Sequence, residues 1–385
     1  MDPKRNRLPC SSRSGDKLRW PALGAACLAV LLTSACASAP PQHAPNTVVI
    51  GNGPPAAPSL TVVAESTRQW TGLTAQADGT LFVNYPRWSA DVPISVARLS
   101  PQGTPEPFPD TSWNDWQPGL DPASHWVCVQ SVVIDGAGRL WVLDPGNPGF
   151  AGVVPGAPKL VRFDLPETTP AQVISFAEPS IKPGSYLNDV RIDLQHEVAY
   201  LTDSGAGALI VVNLATGSTQ RLLDSHPATQ AEDITLKIQG QTFDRPVHAD
   251  GLAYDAQTDM LYFQALRGRT LYRIPGSALR DPDQSAEALA AQVESVATSG
   301  AADGLLAYAG RILVSSLEHD AVIAVSPDGS TETLVTDPRI AWPDTFTRRP
   351  GTTDIYFTTA QIHLSERTDP YRIFKLHLPP SQPTN

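Results

Sequence analysis

Apolar and polar positions alternate in the same phase at six places along the chain. A polar residue stands first in each phrase, or second in the one from Trp70; a short apolar run follows, a turn intervenes, and a second apolar run closes it. The phrases are WTGLTAQADGTLFVN from Trp70, QSVVIDGAGRLWVLD from Gln130, NDVRIDLQHEVAYLTD from Asn188, DGLAYDAQTDMLYFQA from Asp250, DGLLAYAGRILVSS from Asp303 and DTFTRRPGTTDIYFTT from Asp344. Period-two alternation over four to eight residues predicts strands with one face buried. Asp78-Gly79, Gly136-Ala137-Gly138 and Asp328-Gly329 supply the hairpin turns between them. Repeats of this length, each with several short strands, predict an all-β protein, a six-bladed β-propeller.

Each repeat supplies about four strands; in the fourth these are Gly251–Tyr254, Met260–Ala265, Thr270–Ile274 and Gln292–Ala297. The sixth supplies only three before the sequence ends, while the strand-like run Leu60–Glu65 precedes the first repeat. That run is expected to become the outer strand of the last blade and close the ring. Two insertions, Pro145–Pro158 and Ser225–Pro246, leave from strand ends. They are expected either to overhang one mouth of the central channel or to be surface excursions.

The first 59 residues follow a different pattern. Basic residues up to Arg19 precede the apolar run Trp20–Leu32, which is too short to span a bilayer stably, and then Leu32-Thr33-Ser34-Ala35-Cys36. Small residues before a cysteine at the end of an apolar core resemble a bacterial lipobox. The expectation is a signal peptide over 1–35, lipidation of Cys36 and an Ala/Pro-rich tether over 36–59. A propeller over 60–378 and a tail over 379–385 follow. That places the protein on the cell envelope, held to the membrane by its lipid only; ordinary cleavage and secretion is the alternative. A monomer is expected.

Charge narrows the partners. The chain carries −11, and loss of the leader removes six basic and two acidic residues, leaving −15. An acidic body without a basic run argues against nucleic acid, whose phosphates need Lys and Arg. With Cys36 lipidated, Cys128 is the remaining thiol; it lies in the apolar run Trp126–Val129 and reads as a buried, inert cysteine.

Candidate chemistry comes from the phase of the repeat. Innermost strands line a propeller's channel, so their first residues converge: Thr71, Gln130, Asn188, Asp250, Asp303 and Asp344. Oxygen ligands from several blades would suit a divalent cation such as Ca²⁺, with Asn188, Asp250 and Asp303 as the metal set. Without a cation, neighbouring carboxylates repel, and one titrates upward to become a general acid or base; Asp250 and Asp303 are the catalytic candidates. Gln130, Asn188, His248 and Asp344 are the ligand-binding candidates. The plainer alternative is that each Asp before a Gly is an ordinary turn residue. Asp144 and Asp203, which end second strands, read as turn caps. No GxSxG, Walker loop, HExxH or CxxC occurs.

The phrases VNYPRWSADVPISVARLS, VQSVVIDGAGRLWVLDPG, LNDVRID and WPDTFTRRPGTTDIYFTTAQIH together resemble the major royal jelly protein/yellow family, over essentially Leu60–Leu378. The resemblance implies a six-bladed propeller. It further implies a small aromatic or amine-like ligand in the channel and, for some members, dopachrome-tautomerase-type activity. The insect members' disulfides have no counterpart here. A fainter resemblance, to gluconolactonase/senescence-marker propellers, implies a metal-dependent lactonase with Asn188, Asp250 and Asp303 as ligands. Thr71 stands where that family has a metal-binding Glu, and Asp250 where it has Asn. A third reading is a non-catalytic ligand-binding or scaffold protein.

Overall fold

The structure is a computed structural model, described over residues 58–379. The leader, Cys36, the tether up to residue 57 and the tail beyond residue 379 lie outside the described residues, and the tether's expected last residue, Ser59, already belongs to a strand. Six four-stranded antiparallel sheets succeed one another in chain order. The first strands are Leu73–Ala75, Ser131–Ile134, Leu187–Asp193, Ala249–Asp255, Ala302–Tyr308 and Pro343–Arg348, one per blade. In the first five blades all four strands are consecutive in the chain. In the sixth the outer strand is Ser59–Ser66, paired antiparallel with Tyr371–His377 so that Ser59 faces His377. The ring therefore closes through the strand expected from the residues.

Apolar side chains between neighbouring blades hold the ring together. Trp141, Leu143 and Leu160 of blade two pack on Val190, Leu201 and Ile210 of blade three. Tyr200 and Leu209 meet Leu261 and Phe263 at the next interface. Corresponding clusters join blades four and five, five and six, six and one, and one and two. Second strands such as Val198–Asp203 are buried along their whole length, which explains their uninterrupted apolar runs. Because each interface uses both partners, no blade has a complete core alone.

One departure from the sequence reading lies in blade four. The stretch between its third and fourth strands holds two short helices, Gly276–Arg280 and Ala286–Ala290, the second capped by Ser285. The Ser225–Pro246 insertion carries a real hairpin, Leu236–Ile238 with Gln241–Phe243. Leu236, Ile238 and Phe243 bury a small core of their own with Leu266, Leu317 and Trp342. Among the described residues no helix is long and apolar enough to cross a membrane.

Candidate functional site

The first strands of blades three to six share a defect at the same place. Their pairing slips between Leu187 and Val190, Ala249 and Leu252, Ala302 and Leu305, and Pro343 and Phe346. A bulge of this kind leaves residues unpaired and redirects their side chains. The redirected pairs are Asn188-Asp189, Asp250-Gly251, Asp303-Gly304 and Asp344-Thr345. The glycines have a steric cause. A Cβ on Gly251 would collide with the carbonyl oxygen of Asp303, and one on Gly304 with that of Asp344. The Asp-Gly phrase thus permits close approach of adjacent inner strands, which the turn-residue reading does not account for.

Five of the six expected residues face one cavity of about 480 Å³: Gln130, Asn188, Asp250, Asp303 and Asp344. Thr71 does not line it. Thr71 is fully buried, accepts from Asn84 Nδ2 at 2.9 Å and donates to the Gln130 carbonyl at 3.4 Å. His248, a ligand-binding candidate from the sequence, also does not line the cavity; its Nδ1 accepts the Ala231 N–H at 3.0 Å. That bond ties it to the insertion, and burial lowers its pKa.

Asp250, Asp303 and Asp344 are 3, 7 and 4% exposed, so they form the cavity floor. No Lys or Arg pairs with any of them among the described residues. Burial pushes Asp250 well above the ordinary carboxylate range, and the charges of Asp303, Asp344 and Asp189 add to the effect. Burial also raises Asp303, to about 7, against the opposing hydrogen bond from Trp342 Nε1 at 2.6 Å. Asp344 is raised by burial and by Asp303. Near neutral pH the floor therefore retains protons and lacks a counter-cation.

Sequence reasoning missed the fourth carboxylate. Asp189 occupies the second bulge position, where blades four and five have glycine. Its oxygens accept from Arg191 at 2.8 Å, Ser131 Oγ at 3.3 Å and Leu252 N–H at 3.3 Å. Arg191 also donates to the Leu305 carbonyl of blade five at 2.9 Å, crossing the channel, and faces a second cavity at the opposite mouth. Together, Asp189 and Arg191 close the channel below the three free aspartates.

The walls are aromatic, and most of their residues were also missed. Trp88 and Phe150 rings lie 5.5 Å apart, and Phe150 and Tyr186 5.2 Å apart. Tyr186 accepts from Trp88 Nε1 at 2.7 Å and donates to Gln130 Oε1 at 2.9 Å; Gln130 Nε2 donates to Asn188 Oδ1 at 3.1 Å. Opposite, Trp342 packs edge-on to Phe243 at 5.0 Å. Tyr186 and Trp342 each stand two residues before a floor position, a phase that could have revealed them. Phe150 comes from the first insertion and Phe243, Arg245 and Pro246 from the second, so both insertions overhang this mouth. Cys128 is buried, and its thiol is pushed up to about 12, as expected of an inert cysteine.

Metal-type geometry occurs elsewhere. Among the described residues, the one trio of His, Cys, Asp or Glu whose ligand atoms all lie within 4.8 Å of one another is Asp193, His196 and Asp259. Arg280 bonds both of its carboxylates, at 3.3 and 2.8 Å, so that trio already has a guanidinium partner. Asp250, Asp303 and Asp344 do not form such a trio.

Fold and site together define a six-bladed β-propeller with a blind, acid-floored, aromatic-walled channel. The major royal jelly protein model matches residues 127–337, and the chain belongs to that family. It is 28% identical over 220 residues to major royal jelly protein 5 of Apis mellifera, covering 54% of this chain and 34% of that protein. It is 30% identical over 122 residues to protein yellow of Drosophila melanogaster, covering 30% of this chain and 22% of that one. The matches thus span about a third or less of these relatives' length. Among solved structures, a gluconolactonase from Xanthomonas campestris has TM-score 0.51 and 15% identity over 83% of this chain and 89% of that one. A luciferin-regenerating enzyme has TM-score 0.52 and 14% identity over 83% and 95%. These two likenesses concern the fold alone.

Proposed function

We propose that the channel binds a small cationic aromatic molecule and that the aspartate floor moves a proton on it. The observation that carries this reading is the set of three buried carboxylates without a cation, beneath an aromatic wall. An ammonium supplies the missing charge, and an aromatic ring fits between Trp88, Phe150 and Tyr186 on one side and Trp342 on the other. A cavity of about 480 Å³ is of small-molecule size.

Asp303, with a pKa of about 7, is poised to accept and return a proton near neutral pH, with Asp250 beside it. Gln130 and Asn188, fixed by Tyr186 and Ser204, are placed to steady an oxygen that gains charge. This is tautomerase-type chemistry: a proton leaves a carbon beside a carbonyl and returns at another atom. The test is turnover of an aminochrome by the purified protein. Loss of at least ~100-fold in Asp303→Asn is expected; an equal rate in both proteins would remove Asp303 from the mechanism.

Asn188, Asp250 and Asp303 also offer oxygen to a divalent cation such as Ca²⁺, which would supply Lewis-acid chemistry for lactone hydrolysis. The fit is partial, because one Asp303 oxygen is bonded to Trp342 and the Asn188 oxygen to Gln130. Lactone hydrolysis abolished by EDTA and restored by Ca²⁺ would favour this reading over the first.

A further inference from the structure

The floor is lined by carboxyl groups, but the rim of the same cavity is cationic. Arg68, Arg245 and Arg367 all line it and all are solvent-exposed, unlike the buried aspartates. Arg68 is held by the Asp91 carboxylate at 2.8 Å. Arg367 makes no ion pair among the described residues; its Nε donates to the Gln361 carbonyl at 3.1 Å, leaving its terminal nitrogens free of any protein bond there. Arg245 makes no ion pair either, and its guanidinium stands 5.2 Å over the Phe150 ring. In an acidic protein, two guanidinium groups without carboxylate partners face the mouth of its acidic pocket.

A continuous wall connects the two charged ends. From Arg245 one 5.2 Å step leads to Phe150 and another to the Tyr186 ring. The Tyr186 hydroxyl then bonds Gln130, which bonds Asn188 on the floor. An ammonium at the floor and an anion at Arg245 therefore lie at opposite ends of this wall, with Phe150 and Tyr186 between them. An α-amino acid carries both charges on one carbon and cannot reach both ends. A plain amine leaves the rim cations unused.

We propose that the natural ligand is an aromatic amine bearing an anionic group at the end opposite its ammonium, with Arg245 and Arg367 as the residues that select it. This rests on the amine reading of the channel and adds the anion. Contact with Phe150 orients the Arg245 guanidinium, whose planar fork suits a carboxylate or another oxyanion with paired oxygens.

The test is calorimetric titration of the full-length protein with three probes: 2-phenylethylamine, 4-(2-aminoethyl)benzoate and phenylalanine. The benzoate is expected to bind about 10-fold tighter than the plain amine, with phenylalanine no tighter than the amine. Arg245→Gln is expected to collapse the benzoate-to-amine ratio to within ~3-fold, and Arg367→Gln to reduce it partly. Both residues are exposed, so folding is checked by an unchanged melting temperature. Equal affinity for amine and benzoate in the wild type, or a ratio indifferent to both substitutions, overturns the anion proposal and leaves the amine reading standing. Absence of binding by amine and benzoate alike overturns both.

Discussion

Asp144 and Asp203 end the second strands of blades two and three; Asp250, Asp303 and Asp344 open the first strands of blades four, five and six. All five are buried. Asp144 accepts from the Val127, Cys128 and Gly146 N–H groups and from Lys159 Nζ at 3.0 Å. Asp203 accepts from Ser185, from the N–H groups of Tyr186, Gly205 and Ala206, and from Arg221 at 2.7 Å. These two do cap turns, and each also neutralises a buried cation. The three floor aspartates share that burial with no cation. A protein of this size buries carboxylates for two purposes, and the hydrogen-bond partners separate them where residue type and depth do not.

The largest test of that contrast is Asp144→Ala. Removing one member of a buried pair leaves Lys159 charged and without a partner, so a loss of about 3–5 kcal/mol is expected by denaturant unfolding at pH 7. The double change Asp144→Leu with Lys159→Met should cost clearly less. Equal losses would mean that the backbone caps, rather than the ion pair, dominate.

Asp250→Asn should act in the opposite direction. It replaces a carboxyl that burial and its neighbours keep protonated far above its unfolded pKa, and a gain on the order of 1 kcal/mol at pH 8 is expected, or about 2–4 °C in melting temperature. The same variant should lose affinity for 2-phenylethylamine. A destabilised Asp250→Asn with intact binding would place Asp250 in the class of Asp144.

The pH dependence has a definite sign. An unfolded aspartate ionises near 3.9, whereas the floor carboxyls are raised, Asp303 to about 7. Between those limits the folded state binds more protons, so the floor's contribution falls as pH rises from about 4 through 7. Melting curves of ligand-free protein should show a downward slope over this window, flattened in Asp303→Asn. A wild-type slope unchanged by that substitution would refute the assignment.

The smallest expected effect is that of His248→Gln. His248 supports the insertion backbone outside the cavity, so binding of the amine should change less than ~2-fold. A larger change would return His248 to the ligand-binding set.

The propeller was legible because its signal is redundant: six phrases, the turn residues and the missing twenty-fourth strand agree. The site was legible only at the first bulge position. Asp189 stands at the second, directly after Asn188, where a simple alternation assigns it to the strand's other face. Only the slipped pairing turns it inward. Arg191 reads as an exposed strand residue, and its span to Leu305 depends on two blades meeting across an axis. Phe150 and Arg245 lie in insertions without periodicity, so nothing local marks them. Trp342 and Tyr186 carried a usable signal in their fixed distance from Asp344 and Asn188. The helices after Ile274 sit between two strands that were correctly placed, in a stretch with no alternation.

Ring closure through Ser59–Ser66 also has a consequence in time. Thr61 hydrogen-bonds the Lys375 carbonyl 314 positions away, so the first strand of the propeller to be synthesised is the last to find its neighbour. Closing a loop of that length costs about 3 kcal/mol more entropy than closing one of ten residues. Until the chain is complete, an eight-residue strand remains an unpaired edge. Its charged Glu65, which meets Arg372 only in the finished blade, gives the waiting strand a guard against pairing with another chain.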